Sequence, residues 1–187
     1  MFRITDPSEQ DAIDFVSEQR NLPFTYNEVG ATNTTPPSTG YNVDHNRIQI
    51  GTGEATYKKG VEALKNWRQF DLGWVAVMPR GVPIEVGAIV AVKARAFGTW
   101  SLNAARIVYT INETRRFGFA YGTLPDHVEL GEERFLIEWL PDDSVWYDIL
   151  AFSRPKHPLA RLSKPLARRL QKQFARNSLS KIREICG

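Results

Sequence analysis

Between residues 74 and 153 the chain passes through six strand-like segments joined only by short turns. After Arg154-Pro155 it changes to a helical repeat that runs to the end. This order constrains the fold more than any other feature. Consecutive strands with short connections pair as antiparallel hairpins. The segments are 74–78, 84–95, 100–111, 117–123, 132–140 and 145–153, separated by turns rich in Pro, Gly, Asn and Asp. A seventh, 42–50, precedes Gly51-Thr52-Gly53 and a helical stretch with Tyr57, Val61, Leu64 and Trp67 on one face, halted by Asp71-Leu72-Gly73. A meander of this size must cover its apolar face. The terminal helix is the one element long enough to do so. Its stripe is Leu159, Leu162, Leu166, Leu170, Phe174, Ile182 and Ile185, with Pro158 or Pro165 near its start. The expected class is α+β: a seven-stranded antiparallel sheet wrapped over a long C-terminal helix.

Residues 1–40 read as an N-terminal arm and 41–187 as the domain proper. Asp6 is a candidate cap, Pro7 suits a first helical position and Glu9 completes a capping box. A short helix with Ile13 and Val16 on its edge should end near Arg20, before Pro23. Residues 31–40 are polar and proline-bearing and read as a loop or linker. A chain of 187 residues is long enough to bury a core. Its apolar runs are too short to cross a membrane as helices, and Met1-Phe2-Arg3-Ile4-Thr5-Asp6 carries no apolar signal core. The single cysteine, Cys186, cannot form an internal disulfide, which fits a cytoplasmic setting, and its thiol is expected in a frayed tail.

Charge is unevenly placed. From residue 151 onward there are ten Lys or Arg and one acid, Glu184, on a chain whose net charge is +3. The body is therefore acidic and the end basic. Arg168, Arg169, Lys172 and Arg176 could present a solvated face, or meet nucleic acid or an anionic membrane.

No cofactor or metal signature is present. Gly51-Thr52-Gly53 lacks the third glycine and the lysine of a phosphate-binding turn. Residues 117–123 separate cleanly by face: Phe117, Phe119, Tyr121 and Thr123 on one, Gly118, Ala120 and Gly122 on the other. The small stripe implies close approach by a helix or a ligand. Arg106 shares a face with Leu102 and Ala104, so it should pair with an acid such as Glu138 or hold an anionic head group. Arg154 has the same two readings. If the protein is an enzyme, His127 is the acid/base and Glu133 its orienting partner.

Several of these residues carry a resemblance. Ile50-Gly51-Thr52-Gly53 with Tyr57, Trp67-Arg68, Leu72-Gly73-Trp74 and Arg106-Ile107-Val108-Tyr109 resemble a family of unknown function. The likeness is densest at Phe117-Gly118-Phe119-Ala120-Tyr121-Gly122-Thr123-Leu124-Pro125. It continues through His127, Gly131-Glu132-Glu133-Arg134-Phe135 and Ala151-Phe152-Ser153-Arg154-Pro155, covering about residues 41–180. That family is grouped with the Bet v 1-like, START-type helix-grip superfamily. The resemblance implies a seven-stranded sheet gripping the terminal helix with a cavity between them, and implies no reaction. The expected function is binding of a small hydrophobic or amphipathic ligand there, with Trp74, Arg106, Tyr109, Tyr121, Thr123 and Arg154 as candidate contacts. The alternatives are an RNA- or membrane-binding module using the basic helix, and a cavity enzyme using His127 and Glu133.

Overall fold

The computed structural model describes residues 2–156 and 164–187. Its elements are β1 (Phe2–Arg3), α1 (Glu9–Glu18), the 3-10 turn η1 (Ala31–Asn33), β2 (Asn42–Thr52), α2 (Gly53–Lys65), the 3-10 turn η2 (Arg68–Phe70), β3 (Val75–Met78), β4 (Ile89–Ala96), β5 (Thr99–Glu113), β6 (Arg116–Thr123), β7 (Glu129–Trp139), β8 (Ser144–Pro155) and α3 (Lys164–Cys186). The sheet runs β2-β8-β7-β6-β5-β4-β3, all neighbours antiparallel. From β3 to β8 it is a meander, as the short connections require. The first of these strands, β2, closes on the last, and α2 carries the chain across to β3 at the opposite edge. β1 adds two residues to β5, beyond the point where β6 leaves it.

Local signals set most boundaries. The β4–β5 hairpin turns on Phe97 and Gly98, both with positive φ, the pairing that suits a two-residue loop between twisted strands. Residues 84–88, expected as the start of a strand, instead form a turn, and β4 begins at Ile89. The cap of α1 is Ser8 rather than Asp6: Ser8 Oγ accepts from Asp11 N, and the Asp11 carboxylate accepts from Ser8 N at 2.9 Å. This reciprocal box lies two residues downstream of the expected one, because Asp11 closes it and Glu9 does not.

One face of the sheet is the core. Phe119, Phe135, Ile137, Tyr147 and Ile149 point inward against Leu64, Trp67, Phe70 and Ile182. Trp67 meets Phe119 edge-on at 4.8 Å between ring centroids, and Phe70 lies 5.0 Å from Phe174 of α3. Full burial of each such ring contributes about 2–3 kcal/mol. Cys186 belongs to this core, and burial pushes its thiol up to about 11. The frayed tail expected from sequence is therefore absent; α3 stays helical to Cys186 because Ile182 and Cys186 both find core partners. Leu159 and Leu162 of the expected stripe lie outside the described residues.

The opposite face is covered over β4 and β5 by α1, with Phe15 against Ala91, Leu102, Ala104 and Leu124. Residues 24–33 continue across β6 and β7. The segment read as an arm with a loop thus contributes buried Phe15, Tyr26 and Thr32.

Candidate ligand cavity

A cavity of about 640 Å³ lies between the inner face of the sheet and α3. The strand period decides its wall. Tyr121 and Thr123 of β6, Glu133 of β7 and Ile149, Ala151 and Ser153 of β8 point into it, while their sequence neighbours point out. Val92 and Ala94 extend the wall, Phe70 and Trp74 close one side, and Leu170 and Phe174 of α3 form the roof. Phe97, Val128 and Leu166 also border it and are exposed, Phe97 to 70%, so the cavity reaches the surface where these three turns and helix ends meet. A second hollow beside Trp67 and Pro79 is smaller, about 260 Å³.

Among the polar side chains in this wall, burial shifts four titratable groups: Tyr121, His127, Glu129 and Glu133. Glu133 accepts a hydrogen bond from Tyr121 Oη at 2.7 Å. Burial raises its carboxyl from the usual 4.5 to about 7; the Tyr121 bond opposes this and the like charge of Asp44 adds to it. Tyr121 itself is pushed far above the ordinary tyrosine range by burial. His127 Nδ1 lies 3.0 Å from the amide nitrogen of Glu129 and 3.1 Å from its carbonyl oxygen, so the backbone of Glu129 engages this ring nitrogen in either tautomer. Burial lowers His127 to about 4, so it is neutral at physiological pH. Burial also raises Glu129.

At the start of α3 a polar latch ties roof to wall. Arg168 grips Asp44 with both terminal nitrogens, Nη2 to Oδ1 at 2.6 Å, and Nη1 donates to Gln171 Oε1 at 2.9 Å. Gln171 in turn donates to Ser153 Oγ at 3.0 Å. Deeper in, Tyr147 Oη and Ser178 Oγ are 2.9 Å apart.

The residues singled out by sequence fall on both faces. Trp74, Tyr121 and Thr123 line the cavity, as do His127 and Glu133. No hydrogen bond joins His127 to Glu133 among the described residues; each is bonded elsewhere. Arg106, Tyr109 and Arg154 lie on the outer face. Arg106 pairs with no acid among the described residues: its Nη2 donates to the carbonyls of Gln19, Arg20 and Leu22 at 2.9–3.2 Å, closing the C-terminal end of α1. Tyr109 Oη bonds Thr32 Oγ1 at 2.7 Å, and Arg154 stacks on Tyr41 at 4.7 Å. Simple alternation would separate Arg106 from Tyr109. A bulge between Ile107 and Tyr109 shifts the register by one residue and puts both outside.

The small stripe of β6 is also explained on the outer face. A Cβ on Gly122 would stand 2.0 Å from Tyr26 Oη, and one on Gly118 would stand 2.3 Å from Phe135 O. What approaches Gly122 is the N-terminal segment, neither the terminal helix nor a ligand. Tyr26 comes this close because its hydroxyl donates to Glu132 Oε2 at 2.8 Å. Of the basic set, Arg168 is engaged inside the latch, Lys172 and Arg176 border the cavity, and Arg169 is exposed.

Sequence reading missed Asp44, Glu129 and the inward role of Arg168. A signal for Asp44 existed: it shares the period-2 face of Ile48 and Ile50 in β2, so it had to face the core side.

Comparisons with known proteins agree with this geometry. The model of a family described as "Domain of unknown function (DUF1990)" matches residues 25–181. A UPF0548 protein of Dictyostelium discoideum is 35% identical, the match covering 100% of this chain and 96% of the relative. A UPF0548 protein of Arabidopsis thaliana is 36% identical over 74% of this chain and 70% of its own length. Among solved structures, a START superfamily protein from Mycobacterium smegmatis superposes with TM-score 0.52 at 14% identity, covering 78% of this chain and 99% of that one. The likeness is one of fold: a curled antiparallel sheet closed by its C-terminal helix, the helix-grip arrangement of the Bet v 1-like and START-type proteins.

Proposed function

We propose, from the premise that this chain belongs to the DUF1990 family, that it is a non-enzymatic pocket protein holding a small apolar or amphipathic ligand between sheet and α3. The observation that carries the reading is the cavity itself. At about 640 Å³ it has the size of small-molecule sites, and an apolar wall with a few polar groups is their usual composition. A solid scaffold of this fold would fill that space with side chains, since interiors otherwise pack to crystal-like density. Binding is favoured over acid/base catalysis because His127 and Glu133 are not hydrogen-bonded to each other and His127 spends Nδ1 on the backbone of Glu129.

The test is native mass spectrometry of the protein after exposure to lipid and metabolite mixtures, compared with a variant whose cavity is filled by Ala151→Trp. Retained small molecules in the parent, lost in the variant while its fold is kept, support the reading. A parent that retains nothing across apolar and amphipathic mixtures refutes it.

A further inference from the structure

We infer that the polar end of the ligand is a cationic amine, anchored on the carboxyl group of Glu133 beside Tyr121; this rests on the pocket reading above and assigns the chemical class of what the pocket takes.

The argument begins with what each carboxylate on the inner side already has. Asp44 is held by both nitrogens of Arg168. Glu133 has a single neutral donor, Tyr121 Oη, on Oε2. Among the described residues its Oε1 receives no hydrogen bond, and no ion pair includes it. The cations bordering the cavity do not answer it: Arg168 is committed to Asp44, and Lys172 and Arg176 are exposed at the edge. His127 is neutral. The cavity thus contains a carboxyl group with an empty acceptor position and no counter-charge, set in a wall of Ile149, Val92, Ala94 and Phe174.

Each class of head group meets this differently. A carboxylate or phosphate would place like charge beside Glu133 and Asp44. A hydroxyl would fill the open acceptor position and leave the charge unpaired. An ammonium supplies both the donors and the missing charge, and such a bond is roughly twice as strong as a neutral one. An isolated carboxylate in apolar surroundings is costly, and burial, with the like charge of Asp44 adding to it, raises Glu133 to about 7. A bound cation reverses that penalty.

A pH dependence follows. The ionisable groups around Glu133 are Tyr121 on β6, Tyr147 on β8, Asp44 on β2, Arg168, Lys172 and Arg176 on α3, and His127 and Glu129 at the β6–β7 turn. Both tyrosines stay protonated, and Asp44 is paired with Arg168. Below about pH 7 Glu133 must release a proton when the amine binds, so affinity falls as pH is lowered, approaching tenfold per unit. Above it, affinity levels off. Glu129, also raised by burial, titrates in the same sense, and the Glu133→Gln variant separates the two.

The experiment is calorimetric titration of the full chain with n-dodecylamine, n-dodecanol and dodecanoate, each below its aggregation threshold, from about pH 5 to about pH 8. The expected result is a preference for the amine of at least about tenfold at the upper end, shrinking as pH falls, and abolished in Glu133→Gln. A carboxylate or alcohol that binds as tightly as the amine overturns the inference and leaves the pocket reading standing. So does an amine affinity in the unmodified protein that is flat with pH, a measurement that requires no variant to fold. If none of the three binds, both this inference and the pocket reading fall.

Discussion

Glu132 is the point on the outer face where a substitution should be felt most. It is 3% exposed and accepts four hydrogen bonds, all from the N-terminal segment. Oε2 takes Tyr26 Oη at 2.8 Å and Gly30 N at 2.7 Å; Oε1 takes Thr32 N at 3.0 Å and Thr32 Oγ1 at 2.5 Å. Consider Glu132→Gln, which keeps the shape and replaces one oxygen by an NH2 group. Each oxygen serves one hydroxyl and one backbone amide. The hydroxyl can rotate and accept from the new NH2, whereas the amide can only donate and is left without a partner. One orphaned buried N–H, plus loss of a charge-assisted bond, costs about 2–4 kcal/mol. Glu132→Ala removes all four acceptor contacts and should cost about 4 kcal/mol or somewhat more, a large part of the 5–15 kcal/mol of an ordinary domain. Urea unfolding followed by tryptophan fluorescence reads the loss, and hydrogen exchange at Gly30 and Thr32 should accelerate with it. A Gln variant within about 0.5 kcal/mol of the parent, with those two amides still protected, would refute the view that this carboxylate holds the segment to the sheet.

Three further outcomes follow from the same contacts. Gly122→Ala places a methyl group where Tyr26 Oη stands, 2.0 Å away, and should cost about 2–3 kcal/mol by equilibrium unfolding; in a Tyr26→Ala background, where nothing is left to collide with, the added cost should nearly vanish. Glu133→Gln should stabilise the protein near pH 8 by about 2 kcal/mol and do little near pH 4: the folded carboxyl sits at about 7 against an ordinary 4.5, so its stabilising contribution is present below 4.5 and lost as pH rises through 7, and the figure is taken below the full shift because the group opens onto a cavity; a variant no more stable than the parent near pH 8 would count against a burial penalty there. Arg168→Gln breaks the bidentate pair with Asp44 and should lower stability by about 1–2 kcal/mol, less at high salt because both side chains are partly exposed, measured by thermal unfolding in low and high salt.

The parts of the fold that were legible from sequence are those with a period. The faces of β6 could be assigned from residues 117–123 because aromatic and small residues alternate without a break. The meander was legible because the connections from β4 to β8 are short, and the longer one between β3 and β4 carries Pro79, Gly81 and Pro83. The terminal helix was legible from its stripe, and its last turns proved more ordered than a chain end suggests because Cys186 and Ile182 face the core. What escaped had no periodic trace. The bulge in β5 is set by pairing with β6, and a one-residue shift there is enough to move Tyr109 outside. The N-terminal segment reads as a loop because two of the four donors that hold it on Glu132, Gly30 N and Thr32 N, are main-chain groups that leave no side-chain pattern. Arg168 looked like one more member of a basic face, since a sequence shows charge and not which partner lies across a sheet.

Glu132 and Glu133 bring these points together, because adjacent identical residues meet opposite fates. The strand sends one outward and the other inward. The outward carboxylate is surrounded by four donors supplied by the chain itself, and its acceptor positions are taken. The inward one has a single donor and an apolar wall, and the outer cover cannot reach it. Tyr121 and Gly122 repeat the arrangement on β6: the tyrosine faces the cavity carboxyl, and the glycine admits Tyr26 to the outer one. Rigidity of the β6–β7 pair is thus secured from outside, by contacts that occupy none of the cavity. The inner carboxyl can then keep Tyr121 as its single donor without the sheet depending on it, which is the condition the proposed binding group must meet.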